Sequence, residues 1–356
     1  MLSALKFQPY YYSQILDISG PFRYPDIMKS PFPQSTSSAG EGRIVASPLP
    51  GGGSGLETIT HQYPLKLIAP TPSGTYNSVL VFLLSYGGGL VGGDSVRLSI
   101  TVKDGAKLSL VTQGHTKIFK SPSPDIVTTQ MLDIQVDDGA ALCLLPDPVQ
   151  PFENSVYFQK QTFRIKPRSS LCFLDWVTQG RGARGEDWSF VRWKGCNEVW
   201  LDDPSQKTKQ RLLVRDTVVL SGPDSILLGR PLKDTMHKLA VFGTLILRGE
   251  SMKPIGDFFM AEFDALPRIG ARDFRSTEAQ AEEESKLSGL ERWRSERIKM
   301  EKNLGIMWSA AHVRGCVVVK FGASTVEGGR GWIGAMLLKE GSIAEQFGDR
   351  ALMCVR

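Results

Sequence analysis

The sequence predicts a mainly β protein, built as a β-helical stack of strand pairs with a few helices. Apolar and polar residues alternate from Tyr76 to about Val199, with breaks at Gly, Asp and Pro, which is the pattern of short strands. Within that region one motif returns after 34 residues. Helical composition is confined to residues 276–303 and to a short stretch near Trp332. Strands are therefore expected through the centre of the chain and helices towards its end.

The repeated motif is a strand, a tight turn and a second strand. SITVKDGAKLSL (99–110) aligns with DIQVDDGAALCL (133–144), with Asp-Gly-Ala at the same place in both, and a weaker third copy covers 164–174. Repeats of this kind favour strand pairs that each bury an apolar face on the next pair. A plain β-sandwich whose hairpins share the Asp-Gly turn is the alternative, and the pattern leaves both open.

The individual strands follow from the same alternation. One strand ends at a turn over 103–105, and it places four apolar side chains on one face: Val96, Leu98, Ile100 and Val102. Near the C-terminus the pattern predicts a strand at 316–321 and a helix at 332–338.

Residues 276–303 predict one charged amphipathic helix. The segment is rich in Glu, Lys, Arg, Leu and Ala, and Ser276 or Thr277 can cap its N-terminus. Gly289 is expected to break or weaken the helix. Apolar residues recur at helical spacing, namely Leu287, Leu290 and Trp293. We expect the charges to form a solvated face.

Residues 1–55 are predicted to be a flexible N-terminal extension, and residues 56–356 a single folded domain. The stretches PFPQSTSSAGEGR and SPLPGGGSG are rich in Pro, Ser and Gly and poor in apolar residues. Met28 precedes them and is an alternative start to Met1.

Composition limits the class of function. A net charge of +5 over 356 residues does not indicate a nucleic-acid partner. The five cysteines include no Cys-x-x-Cys pair, which predicts neither a disulfide framework nor a tight zinc site. The sequence shows no signal peptide and no apolar run of about 18 residues. We expect a cytoplasmic protein with no membrane partner.

The glycine-rich stretch 86–94, YGGGLVGGD, is the first candidate site. A phosphate loop needs a Gly-Lys-Ser/Thr ending that opens a helix, whereas here Asp94 stands at the lysine position and a strand follows. We favour a close crossing of two backbone segments that only glycine permits, with Asp94 as a candidate polar group.

Three further segments carry polar candidates. His115 follows a strand, and Asp147 and Glu153 lie on a Pro-rich turn; for these, a satisfied histidine and a rigid connector are the simpler interpretations. The segment 175–186 mixes glycines, arginines and carboxylates and is either a partner-contacting or a solvated loop. No Ser–His–acid set, metalloprotease motif or cofactor motif is present.

Five segments together resemble urease accessory protein D, the UreD family, in a eukaryotic, fungal-like form. They are YGGGLVGGDSVRLSITV, LVTQGHTKIFK, LPDPVQPFENSVYFQ, LDWVTQGRGARGEDWSF and the ending MCVR, which follow the family's order over most of 60–356. The resemblance implies a β-helical fold, no enzymatic activity and a role in maturing the nickel enzyme urease. The implied partners are the urease apoprotein and accessory proteins F and G, of which G is a GTPase.

The resemblance also implies that nickel passes through the protein without being tightly bound. Ni²⁺ accepts imidazole, thiolate and carboxylate ligands, and a conduit must release what it takes up. The matching motifs supply the candidate transit residues Asp94, His115, Asp147, Glu153, Asp175, Glu186 and Asp187.

Two other classes of function are left as alternatives. A solenoid-type carbohydrate-active enzyme would use exposed carboxylates, but the unpaired cysteines and the lack of a signal peptide disfavour a secreted enzyme. A nucleotide-binding module would use residues 87–93, which lack the lysine of a phosphate loop.

Overall fold

Two mixed β-sheets and a layer of helices form the computed structural model, which describes residues 38–71, 78–203, 210–227, 229–267 and 287–356. The strands, in chain order, are β1 (Glu41–Pro48), β2 (Ser54–His61), β3 (Leu65–Ile68), β4 (Val79–Ser85), β5 (Ser95–Val102), β6 (Lys107–Val111), β7 (Thr116–Ile118), β8 (Thr128–Val136), β9 (Ala141–Leu144), β10 (Val149–Pro151), β11 (Val156–Ile165), β12 (Ser170–Thr178), β13 (Arg192–Asp202), β14 (Gln210–Ser221), β15 (Val241–Arg248), β16 (Met307–Val313) and β17 (Cys316–Ala323). The helices are α1 (Gly222–Leu227), α2 (Leu232–Thr235), α3 (Lys253–Asp264), α4 (Gly289–Asn303), α5 (Val326–Glu340) and α6 (Ser342–Phe347).

Each sheet is a continuous series of neighbouring strands. Sheet A has the order β14-β13-β11-β8-β5-β1-β2. Sheet B has the order β16-β17-β15-β12-β9-β6-β4-β3. In addition, β10 pairs with β12, and β7 pairs with β10. In the centre of the chain, each of the sheet A strands β5, β8 and β11 is followed by a strand of sheet B, so the turn at 103–105 leads from sheet A to sheet B rather than closing a hairpin.

Residues that occupy the same place in the 34-residue repeat lie opposite one another in neighbouring parallel strands. In sheet A, β5 pairs with β8 so that Ile100 lies opposite Ile134. In sheet B, β6 pairs with β9 so that Leu108 lies opposite Leu142. The third copy, in β11 and β12, continues both parallel series. The repeated apolar positions therefore stack on one another, as predicted.

The predicted β-helical stack itself is not confirmed. Antiparallel neighbours end the parallel series, at β2 and β14 in sheet A and at β3 and β15 in sheet B. Across the part of the chain that the structure describes, the strands form mixed sheets, and no closed barrel or solenoid is seen. The repeat period identifies the parallel strands but carries no information about the antiparallel strands that flank them.

The two sheets share one apolar core, and helices cover the other face of sheet B. Between the sheets, Phe163 and Phe173 stack with their ring centroids 4.1 Å apart. Behind sheet B, Trp332 of α5 packs on Phe321, with centroids 5.2 Å apart. Because sheet B is covered on both faces, β12 is buried at every position, whereas β5 of sheet A alternates between buried and exposed side chains.

The fold begins earlier than the predicted boundary at residue 55. β1 pairs in parallel with β5 and antiparallel with β2, and it buries Ile44 and Ala46 completely. The glycines assigned to a linker form the turn between β1 and β2, where Gly52 and Gly53 have φ values of 90° and 76°. The rest of the predicted extension, residues 1–37 with Met28, lies outside the described residues.

Helix α4 is the described part of the helix predicted at 276–303. The Ser288 hydroxyl accepts a hydrogen bond from Glu291 N, and the Glu291 carboxylate accepts one from Ser288 N, which forms a capping box. Gly289 is therefore the first residue of α4. The predicted caps at 276 and 277 lie outside the described residues.

Two charges of α4 are buried rather than solvated, which corrects the prediction. Arg297 and Glu301 are 3% and 6% exposed. The Arg297 guanidinium donates to Glu262 of α3 and to Glu301, while Arg294 donates to Glu262 at 2.6 and 2.9 Å. Glu301 also accepts from the Trp332 indole N–H at 2.7 Å. A buried ion-pair network thus ties α4 to the helix layer.

The remaining predictions about elements and cysteines are confirmed. The strand predicted at 316–321 is β17, and the helix predicted at 332–338 lies within α5. All five cysteines are free. Among the described residues, no helix has both the length and the apolar character needed to cross a membrane.

Candidate functional site

The glycine-rich loop before β5 serves the fold. A side chain at Gly89 would lie 2.8 Å from the carbonyl oxygen of Lys117, so the predicted close backbone crossing is confirmed. The Asp94 carboxylate accepts a hydrogen bond from Val91 N at 2.9 Å. The carboxylate of Asp94 is therefore used to hold the turn.

A buried polar cluster lies between the two sheets. Asp175 of β12 faces sheet A, and its two oxygens accept from Gln159 Nε2 at 2.8 Å and from Asn197 Nδ2 at 2.7 Å. The Asn197 oxygen accepts from Gln161, and the Gln159 oxygen accepts from the Tyr157 hydroxyl, each at 3.1 Å. Burial raises the pKa of Asp175, and the hydrogen bonds from the two amides oppose that rise. The cluster is a connected network of hydrogen bonds in an otherwise apolar core.

This polar cluster extends towards the edge of the sheets at β14 and β17. Lys320 Nζ lies 2.6 Å from Asp216 Oδ1 and 3.4 Å from the Thr244 hydroxyl. Asp216 and Lys320 both act electrostatically on Asp175. The Lys320 side chain is 39% exposed, so the Lys320–Asp216 pair lies nearer to solvent than the buried Asp175 does.

A cavity of about 30 Å³ lies between the sheets beside this cluster. A water molecule needs about 10–15 Å³ of such space, so the cavity has room for a water molecule or a small ion. Both Asp147 and Asp175 line it. Its polar lining comes from strands of both sheets and the turns next to them: Thr112, Thr116, Gln130, Asp147, Gln159, Gln161 and Asp175.

Asp147 lies in the turn between β9 and β10 and is 5% exposed. Its Oδ2 accepts from the Thr112 hydroxyl and from Gly114 N, each at 2.9 Å, and its Oδ1 accepts from Arg330 Nη2 at 2.8 Å. The same Arg330 nitrogen lies 3.4 Å from His115 Nε2. Burial lowers the pKa of His115, and the positive charge of Arg330 lowers it further against the opposing charge of Asp147.

An open pocket of about 280 Å³ lies outside this cluster and is lined by His115, Tyr86 and the 112–116 turn. Thr112 and Thr116 line both the open pocket and the inner cavity. Asp147 lines the inner cavity and His115 lines the open pocket, so these two residues lie where the two spaces are neighbours.

The other predicted site residues lie away from the cavity. Glu153 and Asp187 are exposed. Glu186 is buried and accepts from Arg181 N and Nε at 2.7 and 2.8 Å; burial raises its pKa, but Arg181 outweighs burial and holds the pKa below its usual range. Of the seven candidates, Asp147 and Asp175 line the same cavity, and His115 lies near Asp147, on the other side of Arg330 Nη2. Asp94, Glu153, Glu186 and Asp187 lie elsewhere.

Sequence reasoning missed the amides and the arginine of the site. A signal for the glutamines exists, because the alternation of VYFQKQTFRI in β11 puts Gln159 and Gln161 on the same inward face as Phe163. Arg330 carries no such signal, since it lies on α5, 215 residues from His115 in the chain. Over the described residues, no group of three or more His, Cys, Asp or Glu side chains is placed to hold a metal ion.

The fold and the site define a two-sheet β protein with a small cavity in its core, whose mixed polar and apolar lining includes the carboxylates of Asp147 and Asp175. The chain belongs to the UreD urease accessory protein family, whose model matches residues 38–353. The resemblance seen in the sequence motifs is thereby confirmed.

Named relatives come from fungi, plants and bacteria. A Schizosaccharomyces pombe protein described as an uncharacterized urease accessory protein ureD-like is 32% identical, over 76% of this chain and 84% of that protein. Urease accessory protein D of Arabidopsis thaliana is 35% identical, over 60% of this chain and 69% of the plant protein. Urease accessory protein UreD of Sorangium cellulosum is 39% identical, over 46% of this chain and 53% of the bacterial protein.

Proposed function

We propose that this chain matures urease by joining accessory proteins F and G on the urease apoprotein and by helping to deliver nickel to its active site. Membership of the UreD family supports the maturation role. In this proposal the chain acts in the cytoplasm, has no turnover of its own, and handles nickel as a cargo.

The observation that carries nickel delivery is the cavity in the core, whose mixed lining includes two carboxylates. Asp147 and Asp175 both line it, and His115 lies where the cavity meets an open pocket. A cation inside an apolar core needs negative or strongly polar oxygens around it, and these side chains supply them. Carboxylate and imidazole groups are ligands that Ni²⁺ accepts.

The test of the maturation role is a strain that lacks this chain. Deletion is expected to leave urease polypeptide at its normal level but inactive and poor in nickel, and the full-length chain is expected to restore both. Tagged full-length chain is expected to co-purify urease together with F and G. Normal urease activity in the deletion strain contradicts the proposal.

A further inference from the structure

One arginine nitrogen stands between a carboxylate oxygen and an imidazole nitrogen at the boundary of the cavity. Arg330 Nη2 lies 2.8 Å from Asp147 Oδ1 and 3.4 Å from His115 Nε2. The other Asp147 oxygen is held by Thr112 and Gly114. Asp147 Oδ1 and His115 Nε2 therefore converge on one position, and a positively charged group fills that position.

The two atoms that face Arg330 are of the kinds that bind divalent metals. Carboxylate oxygen and imidazole nitrogen are both ligands of borderline cations such as Ni²⁺, and a guanidinium has no lone pair with which to join them. Two atoms of metal-binding kinds, Asp147 Oδ1 and His115 Nε2, thus face the same guanidinium nitrogen.

The position of Arg330 allows its guanidinium to move away from Asp147 and His115. Its side chain is 25% exposed, whereas the Asp147 side chain is 5% exposed. Arg330 comes from α5, while Asp147 and His115 belong to turns of sheet B. The guanidinium can therefore move towards solvent without a rearrangement of the strands that carry the two ligands.

We propose that Arg330 is a tethered cationic gate, which occupies Asp147 and His115 in the resting protein and gives them up to an incoming divalent cation. The identification of that cation as nickel rests on the proposed function. The gate itself is a property of this chain alone and is tested with the metal alone.

The experiment is a calorimetric titration of the purified full-length chain with Ni²⁺. Arg330→Met keeps the length of the side chain and removes its charge. This variant is expected to gain a site that binds Ni²⁺ at least about tenfold more tightly than the wild type, because a hydrogen bond between charged groups no longer has to be broken. The double variant Arg330→Met/His115→Ala is expected to lose that gain.

Arg168→Met is the matched control. Arg168 also donates to a carboxylate, Asp138, at 2.7 Å, but on the surface, where 80% of its side chain is exposed. This variant is expected to bind Ni²⁺ as the wild type does. An equal gain in Arg168→Met, or a gain in Arg330→Met that survives removal of His115, overturns the gate.

A second variant at position 330 keeps the test decisive if Arg330→Met fails to fold. Thermal unfolding is measured for each protein, and Arg330→Gln, which keeps a polar side chain but removes the positive charge, is titrated in parallel. If a folded Arg330→Met or Arg330→Gln chain binds Ni²⁺ as the wild type does, Arg330 is not a gate. The proposed function is tested separately, by measuring urease activity in the deletion strain. A folded Arg330→Met chain can gain the metal site whether or not urease depends on this protein.

Discussion

Removing the Glu262 carboxylate is expected to destabilise the helix layer strongly. Glu262 is 1% exposed, and it accepts hydrogen bonds from Arg294 at 2.6 and 2.9 Å and from Arg297 at 3.1 Å. In Glu262→Ala, the buried guanidinium of Arg297 loses one of its two anionic partners. Removing one partner of a buried ion pair costs about 3–5 kcal/mol. We expect the free energy of unfolding to fall by about this amount, and the melting temperature by roughly 5–10 °C.

Asp257→Ala on the same helix is the matched control. Asp257 pairs with Lys253 at 2.7 Å, but the two side chains are 56% and 63% exposed. Exposed pairs of this kind contribute about 0–1 kcal/mol. Both variants are measured by thermal and denaturant unfolding with circular dichroism. Equal losses of stability in the two variants would refute the conclusion that the charges of α4 pack in the interior.

The contribution of Glu262 depends on pH in one direction. Burial by itself raises its pKa, but Arg294 and Arg297 outweigh burial and hold the pKa below its usual value. Stability from such a carboxylate is fully present above its unfolded-state pKa of about 4.3 and is lost as the pH falls through the lower folded-state pKa. The stability difference between wild type and Glu262→Ala is therefore expected to shrink below about pH 4. A difference that stays constant down to about pH 2 contradicts this linkage.

Two further perturbations test the packing. A chain that starts at Leu56 lacks β1 and the start of β2 and is expected to lose its cooperative thermal transition, whereas a chain that starts at Met28 retains every described residue and is expected to melt as the full chain does. Gly331→Ala in α5 adds a methyl group in open space and is expected to raise stability by about 0.5–1 kcal/mol in urea unfolding. Gly334→Ala would put its Cβ 1.9 Å from the Val355 carbonyl oxygen and is expected to lower stability by about 1–3 kcal/mol. A cooperative transition in the chain from Leu56, or changes of the same sign at the two glycines, would contradict the packing described.

The parallel part of the fold is predictable from sequence because the length of the repeat equals the separation in the chain of the residues that pair. Matched apolar residues 34 positions apart, such as Leu108 and Leu142, lie directly opposite one another in neighbouring strands. The antiparallel strands have no such signal, since each pairs through a local turn or with a distant segment of unrelated sequence.

The start of the fold was placed too late for a related reason. The stretch SPLPGGGSG has the composition of a linker, yet it supplies the turn of the β1–β2 hairpin, whose first strand pairs with β5. Gly and Pro are typical of tight turns as well as of linkers, and composition does not distinguish the two. The pairing of β1 with β5 shows that the segment belongs to the fold, and β5 lies about 50 residues away in the chain.

The candidate site was only half predictable. Asp147 and Asp175 lie in motifs that carry the family resemblance, and the cavity brings both together. Asn197 approaches Asp175 from the opposite sheet, and Arg330 approaches Asp147 from α5, so their role depends on tertiary packing. The buried charges of α4 were missed for the same reason, because a helix sequence rich in Glu and Arg does not show which charges face a neighbouring helix.

The most direct test of the account is the nickel content of urease matured with an Asp175→Asn chain. Asparagine keeps the shape of the side chain but lacks the negative charge that a buried cation requires. Asp187→Asn is the matched control, because Asp187 is exposed and lies outside the cavity. Thermal unfolding and co-purification of F and G are measured on both chains, since disturbing a buried hydrogen-bonded group costs about 1–3 kcal/mol. At equal partner binding, the account predicts nickel-poor urease with Asp175→Asn and normal nickel with Asp187→Asn, and equal nickel contents would contradict it.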